Sequence, residues 1–113
     1  LRELAMKSDC VIVGRCADYV LKELNPIRIF AYADMPSKIK RCMERRPEGE
    51  NLNETQMKKS IEKIDRSRAK YYSFFSGQKW GARENYDLLI NTSGADVNAL
   101  SSAFCRYIDT SAE

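Results

Sequence analysis

An unbroken apolar run, Cys10 to Val13, is followed at once by Gly14 and Arg15. A strand that is buried on both faces of a parallel sheet has this pattern, whereas a half-exposed strand alternates apolar and polar residues. The carboxyl ends of strands in such sheets open onto the crevice in which ligands bind. The run therefore predicts a central parallel strand with Arg15 at the ligand-binding edge. An ordinary buried strand followed by a surface arginine has the same pattern.

Two further apolar runs, Ile27 to Ala33 and Tyr86 to Asn91, are predicted strands, and each of the three strands is followed by a helical pattern. Strands and helices that alternate with short connections predict a three-layer α/β fold built on a parallel sheet. Three strands are few for such a sheet, and the first helical pattern starts at Leu1 without a cap. We therefore expect residues 1–113 to form a partial domain, the carboxyl-terminal portion of a larger one.

Apolar spacing and capping residues place the helices. Asp34 begins the helix after the second strand. Asn53, followed three residues later by Gln56, predicts a capping box for the longest helix, which should run to about Tyr72. A closing helix is expected over 97–108. Its inward-facing side chains are expected to be Val97, Leu100, Phe104, Tyr107 and Ile108.

The composition excludes several classes of function. Of 113 residues, 19 are basic and 16 are acidic, and the net charge of +3 suits a small acidic ligand such as a phosphate ester better than duplex nucleic acid. The chain has no histidine for Ser-His or Cys-His chemistry, and its four cysteines, without CxxC spacing, indicate free thiols rather than a metal site. No membrane-spanning run or signal peptide is seen. We therefore expect a cytoplasmic protein with no nucleic-acid partner, membrane contact or metal site.

An arginine lies on the apolar stripe of the longest helix. Met57, Ile61, Ile64 and Arg68 follow one another at spacings of four, three and four residues. Arginine is rarely buried unpaired, and Asp65 is close enough to orient the Arg68 guanidinium while leaving donors free for an anion. This pattern predicts an anion site at Arg68. An i,i+3 surface pair is the alternative.

A second set of cations, Lys38, Arg41 and Arg45, forms a stripe on the helix before residues 46–51 (RPEGEN). That segment is rich in turn formers and has no apolar residue, so we expect an exposed, mobile loop. Phosphoryl transfer is catalysed mainly by positioning and by cations around the transferred group, and a closing lid near residues 46–52 would supply both. A solvated helix face is the alternative.

The third predicted strand ends in a polar turn that contains Asn91, Thr92 and Ser93. Ligands dock at the carboxyl ends of parallel strands, so these three residues are candidates for ligand binding. A plain strand-to-helix connection has the same composition and is the alternative.

Five segments in order, GRCADYVL, IRIFAYAD, KRCMERR, IDRSRA and DLLINTSG, together resemble the second half of the bacterial cytidylate kinases and of their cytidylate kinase-like relatives. The resemblance covers essentially the whole chain. It implies a three-layer P-loop NTPase fold, of which this chain is part of one domain. It also implies a nucleoside monophosphate kinase that uses Mg²⁺ to transfer the γ-phosphoryl group of ATP to a (deoxy)cytidine monophosphate-like acceptor.

The same resemblance implies roles for individual residues. Arg15 matches the arginine that holds the acceptor phosphate, and Asp65 and Arg68 match the pair that holds the acceptor's sugar and phosphate. Arg41 matches a lid arginine that faces the triphosphate, and the turn after Ile90 matches the loop near adenine. The expected catalytic residues are Arg41 and Arg68, those for the acceptor are Arg15, Asp65 and Arg68, and those for ATP are Arg41, Arg45, Asn91, Thr92 and Ser93.

The sequence departs from the cytidylate kinases at three points. Cys16 and Ile61 stand where those enzymes carry aspartate and often arginine, so a kinase for another small phosphorylated or hydroxyl acceptor stays open. No GxxxxGK(S/T) motif occurs, so we expect the phosphate-binding loop upstream of Leu1 and no activity from this chain alone. A nucleotide-binding module without turnover is the alternative. A nucleic-acid binder is disfavoured because four aromatic residues cluster at one helix end, namely Tyr71, Tyr72, Phe74 and Phe75.

Overall fold

The computed structural model describes residues 6, 11–14, 16–46 and 52–112. Arg15 and residues 47–51, most of the predicted lid loop, lie outside the described residues. In chain order the described elements are α1 (Ala17–Val20), β1 (Ile29–Tyr32), α2 (Met35–Arg45), α3 (Glu54–Ser76), β2 (Leu88–Asn91) and α4 (Val97–Ala112). Short 3-10 helices, Lys22–Leu24 and Arg83–Asn85, precede the two strands. None of the helices in this part of the chain is both long and apolar enough to cross a lipid bilayer.

β1 and β2 lie side by side as a parallel pair, in which Ile29 is opposite Leu88 and Tyr32 is opposite Asn91. Parallel strands need a long crossover, and α2 and α3 lie within this one. The described fold is therefore mixed α/β, with a small parallel sheet and mostly helices. The predicted parallel pairing of these two segments is confirmed, while the three-layer arrangement stays a prediction.

The predicted strand over Cys10 to Gly14 is not formed by its described residues. Residues 11–14 have no strand structure, and Val11 and Val13 are 92% and 89% exposed. A strand buried on both faces needs hydrogen-bonded neighbours and covering helices. The described sheet consists of β1 and β2, and neither pairs with this segment. The prediction of a central buried strand is therefore wrong for residues 11–14.

Side-chain caps fix the start of both long helices. Oδ1 of Asp34 accepts a hydrogen bond of 2.8 Å from the amide of Ser37 at the start of α2. Asn53 and Gln56 form the predicted capping box of α3, with hydrogen bonds of 2.8 and 3.0 Å. Such a cap contributes about 1 kcal/mol to helix stability. α3 continues past Tyr72 to Ser76, where the next residue, Gly77, has the left-handed conformation that ends many helices.

Two groups of side chains form the apolar interior. Six residues in and around α1 and on α3 are buried, namely Cys16, Ala17, Leu21, Met57, Ile61 and Tyr72. Next to the sheet, the ring of Phe30 on β1 meets Trp80 edge-on, with 5.1 Å between ring centroids, and Tyr86 at 5.0 Å. The irregular segment between α3 and β2 is therefore anchored on β1 by aromatic packing.

α4 buries less of its apolar face than the sequence pattern predicts. Leu100 and Phe104 are half-buried, but Val97, Tyr107 and Ile108 are 69%, 40% and 41% exposed. No other described helix or strand packs extensively against α4. The expectation that all five side chains face inward is therefore wrong.

Candidate functional site

The carboxyl ends of β1 and β2 meet at one edge of the sheet because the strands are parallel. Thr92, the first residue after β2, donates two hydrogen bonds to the carbonyl of Tyr32, from its amide at 2.7 Å and from its hydroxyl at 2.9 Å. The hydroxyl of Ser93 accepts a hydrogen bond of 2.8 Å from the amide of Asp34. The turn after β2 is therefore fixed against the start of α2, at the edge where parallel sheets bind ligands.

Arg41 of α2 reaches this edge and binds the turn. Its Nη1 donates to Oγ1 of Thr92 at 2.9 Å, and its Nη2 donates to the Thr92 carbonyl oxygen. Oδ1 of Asn91 accepts a hydrogen bond of 3.0 Å from the amide of Ser93 within the same turn. The structure therefore brings together four of the five residues predicted to bind ATP. Because a guanidinium has five N–H donors, Arg41 keeps donors beyond the two that Thr92 uses.

An open cleft of about 360 Å³ lies beside the Arg41–Thr92 contact. It is lined by Ser37, Lys40, Arg41, Glu44, Gly94 and Ala95. This volume is within the range of small-molecule pockets, and two cations against one carboxylate favour a polar, anionic ligand. Arg45, the fifth residue predicted to bind ATP, is exposed on the last turn of α2 and does not line the cleft.

The ionised carboxylate of Asp34 caps the start of α2, beside this cleft. Hydrogen bonds from Ser37, with smaller contributions from Ser93 and from the charge of Arg41, hold the pKa of Asp34 below its ordinary value. A carboxylate with a lowered pKa is a weak proton acceptor. Asp34 therefore organises the start of α2 and is not a candidate general base.

Asp65 on α3 pairs with a residue other than the one predicted. Its Oδ2 lies 2.8 Å from Nζ of Lys38 on α2, and both side chains are partly buried. The expected orientation of Arg68 by Asp65 is therefore wrong. No local sequence pattern indicates the pair with Lys38, because the two residues lie on different helices and 27 positions apart.

Arg68 does not lie on a core-facing stripe. It is exposed and makes no ion pair with another residue that the structure describes, and Ile64 before it is 48% exposed. Of the four residues on the predicted stripe, only Met57 and Ile61 are buried, although Tyr72, further along α3, is buried again. An exposed guanidinium without a protein partner remains available to an anion.

The described residues do not fit a resident metal ion. Among them, no group of three cysteine, aspartate or glutamate side chains comes together as a metal site. Magnesium in phosphoryl-transfer enzymes is held by one or two carboxylates together with substrate phosphates. Asp34 caps a helix and Asp65 is paired with Lys38, so each of these carboxylates already has a protein partner in the structure.

The comparison with protein families agrees with the sequence resemblance. The cytidylate kinase-like family model matches residues 1–94, which include every residue predicted for the site. The crystal structure of an uncharacterized protein from Eubacterium ventriosum ATCC 27560 is similar, with a TM-score of 0.82 and 35% identity over 96% of this chain. The chain spans 59% of the length of that structure. No match was found among curated proteins.

Proposed function

Since this chain belongs to the cytidylate kinase-like family, we propose that the intact protein is a nucleoside monophosphate kinase. In this proposal it transfers the γ-phosphoryl group of ATP to a (deoxy)cytidine monophosphate-like acceptor. The chain spans only part of its structural neighbour, so the activity is proposed for a longer protein that includes these residues.

The contact between Arg41 and Thr92 is the observation that carries the proposal. It joins a helix that begins after β1 to the turn after β2, at the edge where parallel sheets bind ligands. We propose that the turn formed by Asn91, Thr92 and Ser93 lies against the adenine of ATP. Thr92 holds the Arg41 guanidinium in one orientation, and the remaining donors of Arg41 and the charge of Lys40 face the phosphates. Arg45 is proposed to join them from the last turn of α2.

We propose that the acceptor is held by Arg15, Asp65 and Arg68. The exposed Arg68 has no protein partner among the described residues and suits a phosphate, which guanidinium groups bind in a bidentate manner. Asp65 is fixed by Lys38, so its carboxylate can accept hydrogen bonds from sugar hydroxyls without rearranging. Arg15 is assigned to the acceptor phosphate by the family resemblance.

ATP and Mg²⁺ supply the transferred group and the charge neutralisation when bound. This sequence lacks the GxxxxGK(S/T) motif whose backbone amides and lysine surround the phosphates. We therefore propose that the intact protein supplies the phosphate loop and the metal contacts from residues outside this chain.

The missing motif also favours a second candidate, a nucleotide-binding module without turnover. Both candidates bind ATP at the Arg41–Thr92 edge, but only the kinase needs a phosphate loop. A coupled assay with ATP, Mg²⁺ and CMP on the intact protein separates them, and AMP, UMP and dCMP report the acceptor preference. Phosphoryl transfer is expected from the intact protein and not from residues 1–113 alone. ATP binding without transfer by the intact protein would favour the binding module.

A further inference from the structure

Tyr72, near the end of α3, forms a buried polar contact that the proposed function does not use. It is 5% exposed, and its hydroxyl lies 2.7 Å from Oδ2 of Asp18 and 2.9 Å from Oε1 of Gln78. The ring stacks on Tyr86 with 6.4 Å between centroids. An ionised carboxylate can only accept a hydrogen bond, so the single hydroxyl proton of Tyr72 is donated to Asp18.

The Tyr72 hydroxyl keeps this proton throughout the ordinary pH range. Burial, and then the hydrogen bond to Asp18 and its negative charge, raise the pKa of Tyr72 well above its usual value. The hydroxyl is therefore a donor over that whole range.

Asp18 lies on α1, and two residues shortly before this helix have a left-handed backbone. Gly14 has a φ of +76° and Cys16 has a φ of +56°. Glycine adopts this conformation easily, but cysteine does so only where the surroundings impose it. Cys16 is 5% exposed, and its carbonyl accepts hydrogen bonds from the amides of Tyr19 and Val20. The backbone of Cys16 is thus held in a disfavoured conformation by its packing and by α1.

We propose that the hydrogen bond from Tyr72 to Asp18 is a positioning contact that fixes α1 and the strained backbone of Cys16 directly before it. This proposal rests on the proposed function, in which Arg15, the residue that precedes Cys16 in the sequence, binds the acceptor phosphate. Tyr72 and Asp18 touch no substrate. They fix the position of Cys16, next to Arg15 in the sequence, by joining α1 to the end of α3, 54 residues away in the chain.

The test compares two identical substitutions on neighbouring residues of α3 in the intact protein. Tyr72→Phe removes the hydroxyl and leaves the ring stacked on Tyr86. Tyr71→Phe is the matched control, because Tyr71 is 47% exposed and its hydroxyl has no hydrogen bond to a described residue. We expect Tyr72→Phe to raise the KM for CMP about tenfold or more, since a small displacement of a group that binds substrate strongly weakens its interaction with that substrate. The KM for ATP should change less than about twofold in both variants.

Substitutions of Asp18 test the same hydrogen bond from its acceptor side. Asp18→Asn keeps a side-chain oxygen that accepts a hydrogen bond from Tyr72, whereas Asp18→Ala does not. We therefore expect the KM for CMP to rise less in Asp18→Asn than in Asp18→Ala. If the contact served stability alone, its loss would not change the KM for CMP more than the KM for ATP. Equal changes in both KM values, or none in Tyr72→Phe, would overturn the positioning role.

Hydrogen–deuterium exchange tests the contact without requiring activity. The amides of Tyr19 and Val20, which donate to the Cys16 carbonyl, should exchange about tenfold faster in Tyr72→Phe than in Tyr71→Phe, while amides of β2 are unchanged. Unchanged exchange at these two amides would overturn the proposal. If the unsubstituted protein transfers no phosphoryl group, the proposed function fails, and exchange alone still decides whether Tyr72 fixes α1 and the backbone of Cys16.

Discussion

Nζ of Lys38 on α2 lies 2.8 Å from Oδ2 of Asp65 on α3, and the two side chains are only 32% and 26% exposed. The ion pair joins the helices on both sides of residues 46–52, the predicted lid loop. α2 carries Arg41 and α3 carries Arg68, so this pair connects the helices that present the two arginines proposed for catalysis.

A double-mutant cycle measures how strongly the pair couples the helices. We expect Lys38→Ala and Asp65→Ala to show a coupling of about 0.5 to 1 kcal/mol in the free energy of unfolding, more than most fully exposed pairs provide. Urea denaturation of the two single variants and the double variant gives this number. The exposed Lys40 on the same helix provides the control, since Lys40→Ala and Asp65→Ala should be additive. Additivity of the Lys38 cycle would show that the pair contributes nothing to stability.

Arg68→Ala tests the proposed acceptor site. Loss of one charge-assisted contact to a phosphate costs about 1.5 to 3 kcal/mol, so kcat/KM for CMP should fall about 10- to 100-fold. Arg66→Ala is the matched control, because Arg66 is an exposed arginine two residues away on the same helix. Thermal denaturation should leave both variants close to the parent. If Arg66→Ala lowers kcat/KM as much as Arg68→Ala, net charge rather than a specific site explains the loss.

Local sequence signals predicted local structure well. The capping box of Asn53 and Gln56 and the start of α2 at Asp34 are present because each depends on residues three positions apart. The parallel pairing of β1 and β2 followed from the alternation of strands and helices. Contacts between distant segments were not predictable in this way, as the pairing of Asp65 with Lys38 illustrates.

Burial was the least predictable property. Periodicity shows which side chains share a helix face, but it cannot show how much of that face another element covers. Val97 and Ile64 lie on apolar faces and are nevertheless 69% and 48% exposed. The contact of Arg41 with Thr92 was foreseen only as a shared ligand, because the family resemblance assigned both residues to ATP.

Gly81→Ala tests the packing between the irregular segment and β1. Gly81 has a φ of +82°, and an added Cβ would lie 3.2 Å from Cζ of Phe30. The left-handed backbone alone costs a non-glycine residue about 1 to 2 kcal/mol. Phe30 is held between Trp80 and Tyr86 and has little room to move, so the loss of stability should be greater than that.

Gly77→Ala separates the two contributions to that loss. Gly77 has a similar φ of +70°, but an added Cβ there would meet no atom within 4 Å. Its substitution should therefore cost only the backbone contribution, and Gly81→Ala should lower the urea midpoint further. Equal midpoints for the two variants would mean that the Phe30 ring moves aside freely.

Arg41→Ala tests the site that carries the proposed function. The Arg41 guanidinium is held by two hydrogen bonds to Thr92, so it is oriented before any ligand binds. A cation oriented in advance stabilises charge that develops in the transition state more than charge in the ground state. We therefore expect kcat to fall about 10- to 100-fold with little change in the KM for CMP. A change confined to the KM for ATP would assign Arg41 to simple binding.

Thr92→Val determines whether the orientation of Arg41, and not its charge alone, matters. Valine keeps the shape of threonine but has no hydroxyl to accept from Nη1, while the backbone carbonyl still accepts from Nη2. Only one hydrogen bond then orients the guanidinium. A hydrogen bond from a charged donor contributes more free energy than an ordinary one, so we expect kcat to fall about 3- to 10-fold. Thr110→Val on α4 is the matched control, because the Thr110 hydroxyl also donates to a carbonyl, that of Arg106, but outside this edge. If Thr92→Val retains full kcat while Arg41→Ala does not, the charge of Arg41 acts without being positioned by the turn.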